Sequence, residues 1–171
     1  QAILDANSNS GADTIDFAIS AGDAGHYYYT DDGIAGSVSP GNVTTTTAAS
    51  DAGLVGADVD FAKSWWSIQV NSSGLPGITD QVTIDATTQT GYAGTPIVEL
   101  DGTLDSSSDE NGFTIETSGV TIRGFAINRF ADDAIEIDID GGGHTIAGNY
   151  LGTDVSGLIN SYGNRYGITV K

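Results

Sequence analysis

The sequence predicts an all-β chain: a right-handed parallel β-helix with a short N-terminal capping helix and an irregular insertion. Three observations carry that expectation. Twenty-four glycines and three prolines sit among short apolar strings bounded by Gly, Asn, Asp and Ser clusters, the punctuation of many short strands. Gly119-Val-Thr-Ile-Arg-Gly-Phe-Ala-Ile127 aligns with Gly143-His-Thr-Ile-Ala-Gly-Asn-Tyr-Leu151, keeping Gly, Thr, Ile and Gly in place. A recurring unit of roughly twenty to twenty-five residues, each with one or two short strands, is the mark of a solenoid of stacked parallel strands. The alternative is an antiparallel β-sandwich, for which Asp32-Gly33, Asp101-Gly102, Asn111-Gly112 and Asp140-Gly141 would supply hairpin turns.

The 171 residues fit one domain, divided into a cap and first strand (1–19), an insertion (20–64) and the β-helix proper (65–171). The opening Gln1-Ala-Ile-Leu-Asp-Ala-Asn stretch is one helical turn, too short to stand alone, and reads as cover for an otherwise unpaired strand edge. Ile15, Phe17 and Ile19 then alternate as a strand should. Residues 20–64 have no period. They hold Tyr27, Tyr28 and Tyr29, with Trp65 and Trp66 just beyond, so these five rings are either the insertion's own small core or a surface that meets sugars or a neighbour.

Twenty-three acids against five bases give a net charge of −18, which disfavours nucleic acid and anionic lipid as partners, because both need Lys and Arg to neutralise phosphate. No apolar run is long enough for membrane insertion. The absence of cysteine excludes disulfides, thiolate metal sites and a thiol nucleophile. Nineteen of the acids are Asp, which favours turns and cation-binding loops, so Ca²⁺ is the cofactor to consider, together with a marine or saline setting. The chain begins with Gln1 and ends with Lys171, which reads as a piece of something longer.

Ala134-Ile-Glu-Ile-Asp-Ile-Asp140 alternates without interruption, placing Glu136, Asp138 and Asp140 in one outward row about 7 Å apart. Stacking Phe113, Ile135 and Ile168 inward puts Glu116, Asp138 and Lys171 in one outward ladder. Adjacent acids repel unless neutralised, and Asp132, Asp133, Glu136, Asp138 and Asp140 are therefore the candidate Ca²⁺ ligands. The same row, around Glu136 and Asp138 with Arg123 and Arg129 nearby, is the alternative for glycoside hydrolase or polysaccharide lyase chemistry. His26 and His144 are too few for a histidine metal cluster. Asn42-Val-Thr44 and Asn71-Ser-Ser73 fit the N-glycosylation sequon, making Asn42 and Asn71 candidate modification sites.

Residues 1–17, 78–102 (Ile-Thr-Asp-Gln-Val-Thr-Ile-Asp-Ala through Ile-Val-Glu-Leu-Asp-Gly) and Gly148-Asn-Tyr-Leu-Gly-Thr-Asp154 resemble the CSLREA-type N-terminal module of large bacterial surface proteins. The leading Cys-Ser-Leu-Arg part of that motif is missing. The resemblance implies an extracellular or cell-surface polypeptide of structural or adhesive role, without established catalytic residues. It predicts partners among neighbouring surface-protein domains, carbohydrate or further copies of the chain. Exposed strand edges at both ends predict head-to-tail association into filaments.

Overall fold

A computed structural model describes residues 1–71, 73–104, 110–139 and 141–171. Its elements are α1 (Ala2–Ser8) and strands β1 (Asp13–Asp16), β2 (His26–Tyr29), β3 (Val43–Thr45), β4 (Ser64–Asn71), β5 (Val82–Asp85), β6 (Val98–Leu104), β7 (Phe113–Ile115), β8 (Thr121–Arg123), β9 (Phe125–Asn128), β10 (Asp133–Ile137), β11 (Thr145–Ala147), β12 (Tyr150–Leu151) and β13 (Tyr166–Val170). Among the described residues no helix is long and apolar enough to cross a membrane.

The strands form three sheets, ordered β1-β5-β8-β11, β13-β10-β7 and β12-β9-β6-β4-β2-β3. Register is set by which face of each strand is apolar, since a one-residue slip would turn every aliphatic side chain outward. In the four-stranded sheet Ile15, Ile84, Ile122 and Ile146 are consecutive partners, and Ile122 is wholly buried. In the three-stranded sheet Ile135 lies between Phe113 and Ile168. In the largest sheet Ile68, Leu100 and Ile127 are partners in the same way. Apart from Ile168, which is exposed at the end of its sheet and not inward as the sequence suggests, these rows converge on one core, where each fully buried aliphatic side chain contributes about 1.5–3 kcal/mol relative to exposure.

Helix α1 buries Ile3 and Ala6 against that core. Asn7 ties it down by donating to Gly77 O at 2.8 Å and accepting the Thr79 N–H at 2.9 Å. The turn between β8 and β9 needs glycine: Gly124 has φ of 83°, and a Cβ there would meet the Thr87 backbone nitrogen at 2.9 Å.

The expected all-β right-handed parallel β-helix is corrected by this topology. The chain is of mixed α/β class, with three separate sheets and one α-helix among the described residues, and the sheets do not fit a single parallel β-helix. The largest sheet joins parallel pairings to two antiparallel ones, β2 with β3 and β2 with β4. The sequence distance between paired residues also varies, being short for Ile122 and Ile146 and long for Ile15 and Ile84. The physical reason lies in residues 20–64. Their consecutive aromatics satisfy an exposed sheet edge by hairpin-like pairing on β4 instead of extending a parallel stack. The sandwich alternative fails too, because the remaining eight strand pairings are parallel.

Candidate functional site

The outer face of the six-stranded sheet carries the side chains of opposite parity to the core. Tyr27 and Tyr29 on β2, Trp65, Ser67 and Gln69 on β4, and Glu99, Asp101 and Thr103 on β6 all face one cleft of about 220 Å³. Arg129, just past β9, and Tyr162 complete its lining. Trp65 and Tyr29 are buried with ring centroids 4.6 Å apart, while Tyr27 and Tyr162 are half-buried.

Arg129 organises the floor. Its Nε donates to Asp101 Oδ1 at 2.8 Å and its Nη2 to Glu99 Oε1 at 3.0 Å, while its guanidinium carbon lies 4.0 Å from the centroid of the Tyr162 ring. Its backbone N–H donates to Tyr162 O at 3.2 Å, so one residue positions both the acids and the aromatic wall. Arg129 has φ of 63°, the one non-glycine in the left-handed region among the described residues. That conformation costs an L-residue roughly 1–2 kcal/mol and persists only where surrounding contacts over-determine it.

Glu99 also accepts the Asn128 side-chain amide at 2.9 Å and the Trp65 indole N–H at 3.4 Å. Asp101 Oδ1 accepts the Thr103 backbone N–H at 2.8 Å and the Thr103 hydroxyl at 2.5 Å. Its Oδ2 receives only the Gln69 side-chain amide, at 3.5 Å. Burial would raise the Asp101 carboxyl, but the Arg129 guanidinium and the Thr103 donors outweigh it and hold the carboxyl below its ordinary range. Burial likewise opposes charge on Arg129, and the two carboxylates overcome it, raising its pKa further. Burial, then the neighbouring charge of Glu99, raise the Tyr162 phenol against the opposing pull of Arg129.

The insertion is locked to the far side of the cleft by Tyr29, whose hydroxyl donates to Asp154 Oδ2 at 3.0 Å. Asp154 is wholly buried and also accepts N–H groups of Ser156 at 3.0 Å and Ile159 at 2.9 Å. Burial and then the Asp154 charge raise the Tyr29 phenol far above its usual value.

The residues singled out from the sequence fall in several places. Trp65 joins the cleft, whereas Trp66 turns to the opposite face, stacks on His26 with centroids 4.2 Å apart and donates to Ser20 O at 3.0 Å. Tyr28 donates its hydroxyl to Val55 O at 3.0 Å. Of the proposed calcium ligands, Asp133 is buried and accepts the Thr169 hydroxyl at 2.8 Å, and Asp132 pairs with Arg165 at 3.4 Å. Glu136 pairs with Lys171 and accepts the Asn111 amide at 3.0 Å, so a cation of the chain itself meets that acid. Asp138 is exposed, and Asp140 lies outside the described residues. Half-buried Asn42 and exposed Asn71 stand apart from the cleft lining, and His144 accepts the Val120 N–H at 3.4 Å.

The structure instead brings together Asp31, Asp32 and Asp58, with one carboxylate oxygen of each within 4.8 Å of the others. Asp58 is buried, and its oxygens accept the N–H groups of Asp32 and Asp60 at 3.3 and 2.9 Å. Three oxygen donors suit a hard cation such as Ca²⁺. The sequence signal is present in Asp31-Asp32-Gly33 and Asp58-Val-Asp60, which read as turn chemistry. Glu99 and Asp101 are equally visible as acids on an alternating strand, but their shared cation comes from another strand's end.

Comparison with known proteins finds no matching family model, no matching curated protein and no matching solved structure.

Proposed function

We propose that this chain is a non-catalytic adhesive module that holds a saccharide in the cleft between Tyr27, Trp65 and Tyr162. The carrying observation is the union, in one concavity, of aromatic walls with a fixed polar floor of Glu99, Asp101 and Arg129. The half-buried Tyr27 ring offers an apolar face to the C–H face of a sugar, buried Trp65 backs it, and the floor fixes the orientation of the sugar's hydroxyls. The resemblance to bacterial surface-protein modules and the net charge of −18 support a position outside the cell in a saline setting.

The preference for binding over catalysis rests on proton accounting. Glu99 and Asp101 lie two residues apart on one face of β6, and such a carboxylate pair is the group glycoside cleavage uses. That chemistry needs one carboxyl with a raised pKa to deliver a proton, and Asp101 is shifted the opposite way. Glu99 Oε1 takes donors from Arg129 and Asn128, and Oε2 faces the buried Trp65 indole N–H at 3.4 Å.

Calorimetric titration with a panel of neutral, acidic and amino oligosaccharides tests the reading. Binding should be observed for at least one class, and Tyr27→Ala should weaken it about tenfold, the loss of roughly 1.4 kcal/mol expected for one aromatic platform. Absence of binding across the panel, or binding indifferent to Tyr27→Ala, overturns it.

A further inference from the structure

We infer that the cleft selects a saccharide bearing a primary ammonium group, an amino sugar, over its neutral or acidic counterparts. The inference rests on the saccharide-binding reading and adds the ligand's charge. Two carboxylates face one guanidinium on the floor, leaving one negative charge uncompensated there. Arg129 is already shared between the two acids: Nε donates to Asp101 and Nη2 to Glu99, and the face of the guanidinium is covered by Tyr162. An acidic sugar entering the cleft would add a third negative charge beside two carboxylates that share one cation.

The acceptor for the ammonium is Asp101 Oδ2. A carboxylate oxygen offers about two lone-pair directions. Oδ1 is filled by Arg129 and by both Thr103 donors, whereas Oδ2 receives a single amide at 3.5 Å, the limit of a useful hydrogen bond. Gln69 itself is exposed. The Tyr27 ring beside the same opening favours a cation through its quadrupole. The acidity of the whole chain adds attraction at long range, but that contribution is screened by salt and does not distinguish an amino sugar from any other cation.

The test compares a β-1,4-linked glucosamine hexamer, its fully N-acetylated counterpart, a galacturonate hexamer and spermidine, by calorimetry in ~150 mM salt at about pH 5.5, where amine and Asp101 are both charged. The glucosamine hexamer should bind at least about tenfold more tightly than the acetylated one, and spermidine should bind more weakly than either. Gln69→Lys, at an exposed position beside Asp101 Oδ2, should abolish the preference, and Asp101→Asn should do the same, with folding of both variants monitored by circular dichroism. Equal binding of the amine and acetylated hexamers, tighter binding of galacturonate, spermidine matching the glucosamine hexamer, or a preference that survives Gln69→Lys each overturns the inference while leaving saccharide binding standing. No binding of any hexamer instead removes the reading on which it rests.

Discussion

The four-stranded parallel sheet and the aromatic edge of the six-stranded sheet solve different problems with similar strand lengths. In the first, Ile15, Ile84, Ile122 and Ile146 lie over one another and the stabilisation is non-directional, proportional to the apolar area taken from water. In the second, Tyr29, Phe61 and Trp65 meet at tilted and edge-on angles, and behind them Arg129 is shared between two acids. Such contacts are directional and hold only in one arrangement. The comparison teaches that the regular sheet supplies a platform, while specific chemistry gathers where parallel pairing gives way to antiparallel pairing at β2 and β4.

Breaking the second region should cost most. Arg129→Ala leaves Glu99 and Asp101 buried without their cation, and roughly 3–5 kcal/mol of stability should be lost in denaturant unfolding. An unchanged midpoint would show that the floor is solvated. Ile122→Ala strikes the first region: removing a wholly buried side chain should cost about 3 kcal/mol. The two variants then separate the regions, because saccharide affinity measured under folding conditions should fall for Arg129→Ala and hold for Ile122→Ala.

A pH titration sharpens the contrast with a smaller effect. The folded pKa of Asp101 lies below its unfolded value of about 3.9. Its ionised form therefore stabilises the fold above that value, and the contribution is lost as pH falls through the folded pKa. Thermal melts between neutral pH and pH ~2 should show a declining acid limb, shallower in Asp101→Asn. The smallest effect belongs to the rim of the three-stranded sheet. The Arg165 side chain is 57% exposed in its pair with Asp132, so Arg165→Ala should shift stability by less than about 1 kcal/mol.

Much of the strand pattern is legible in the sequence. Period-two alternation places Ile135 between Phe113 and Ile168, and the recurrence of Thr-Ile between Gly residues places Ile122 beside Ile146. Alternation reports which face is buried but says nothing of which edge pairs with which, so the antiparallel strands of residues 20–64 are invisible to it, and a fold class read from it goes astray. The site is harder for the same reason. The uninterrupted alternation of Ala134 to Ile139 draws attention to Glu136 and Asp138. Val98-Glu-Leu-Asp101 alternates as well, but its meaning depends on Arg129, Trp65 and Tyr162, which only tertiary structure gathers. A consecutive run of tyrosines likewise hides that Tyr27 and Tyr29 share a face while Tyr28 points to the other.

The left-handed backbone at Arg129 sets two demands on a single codon. Conformation alone would select glycine there, and charge alone selects arginine. A descendant chain with neutral residues at 99 and 101 should drift toward Arg129→Gly, and that triple change would mark a lineage that kept the scaffold and lost the charged floor.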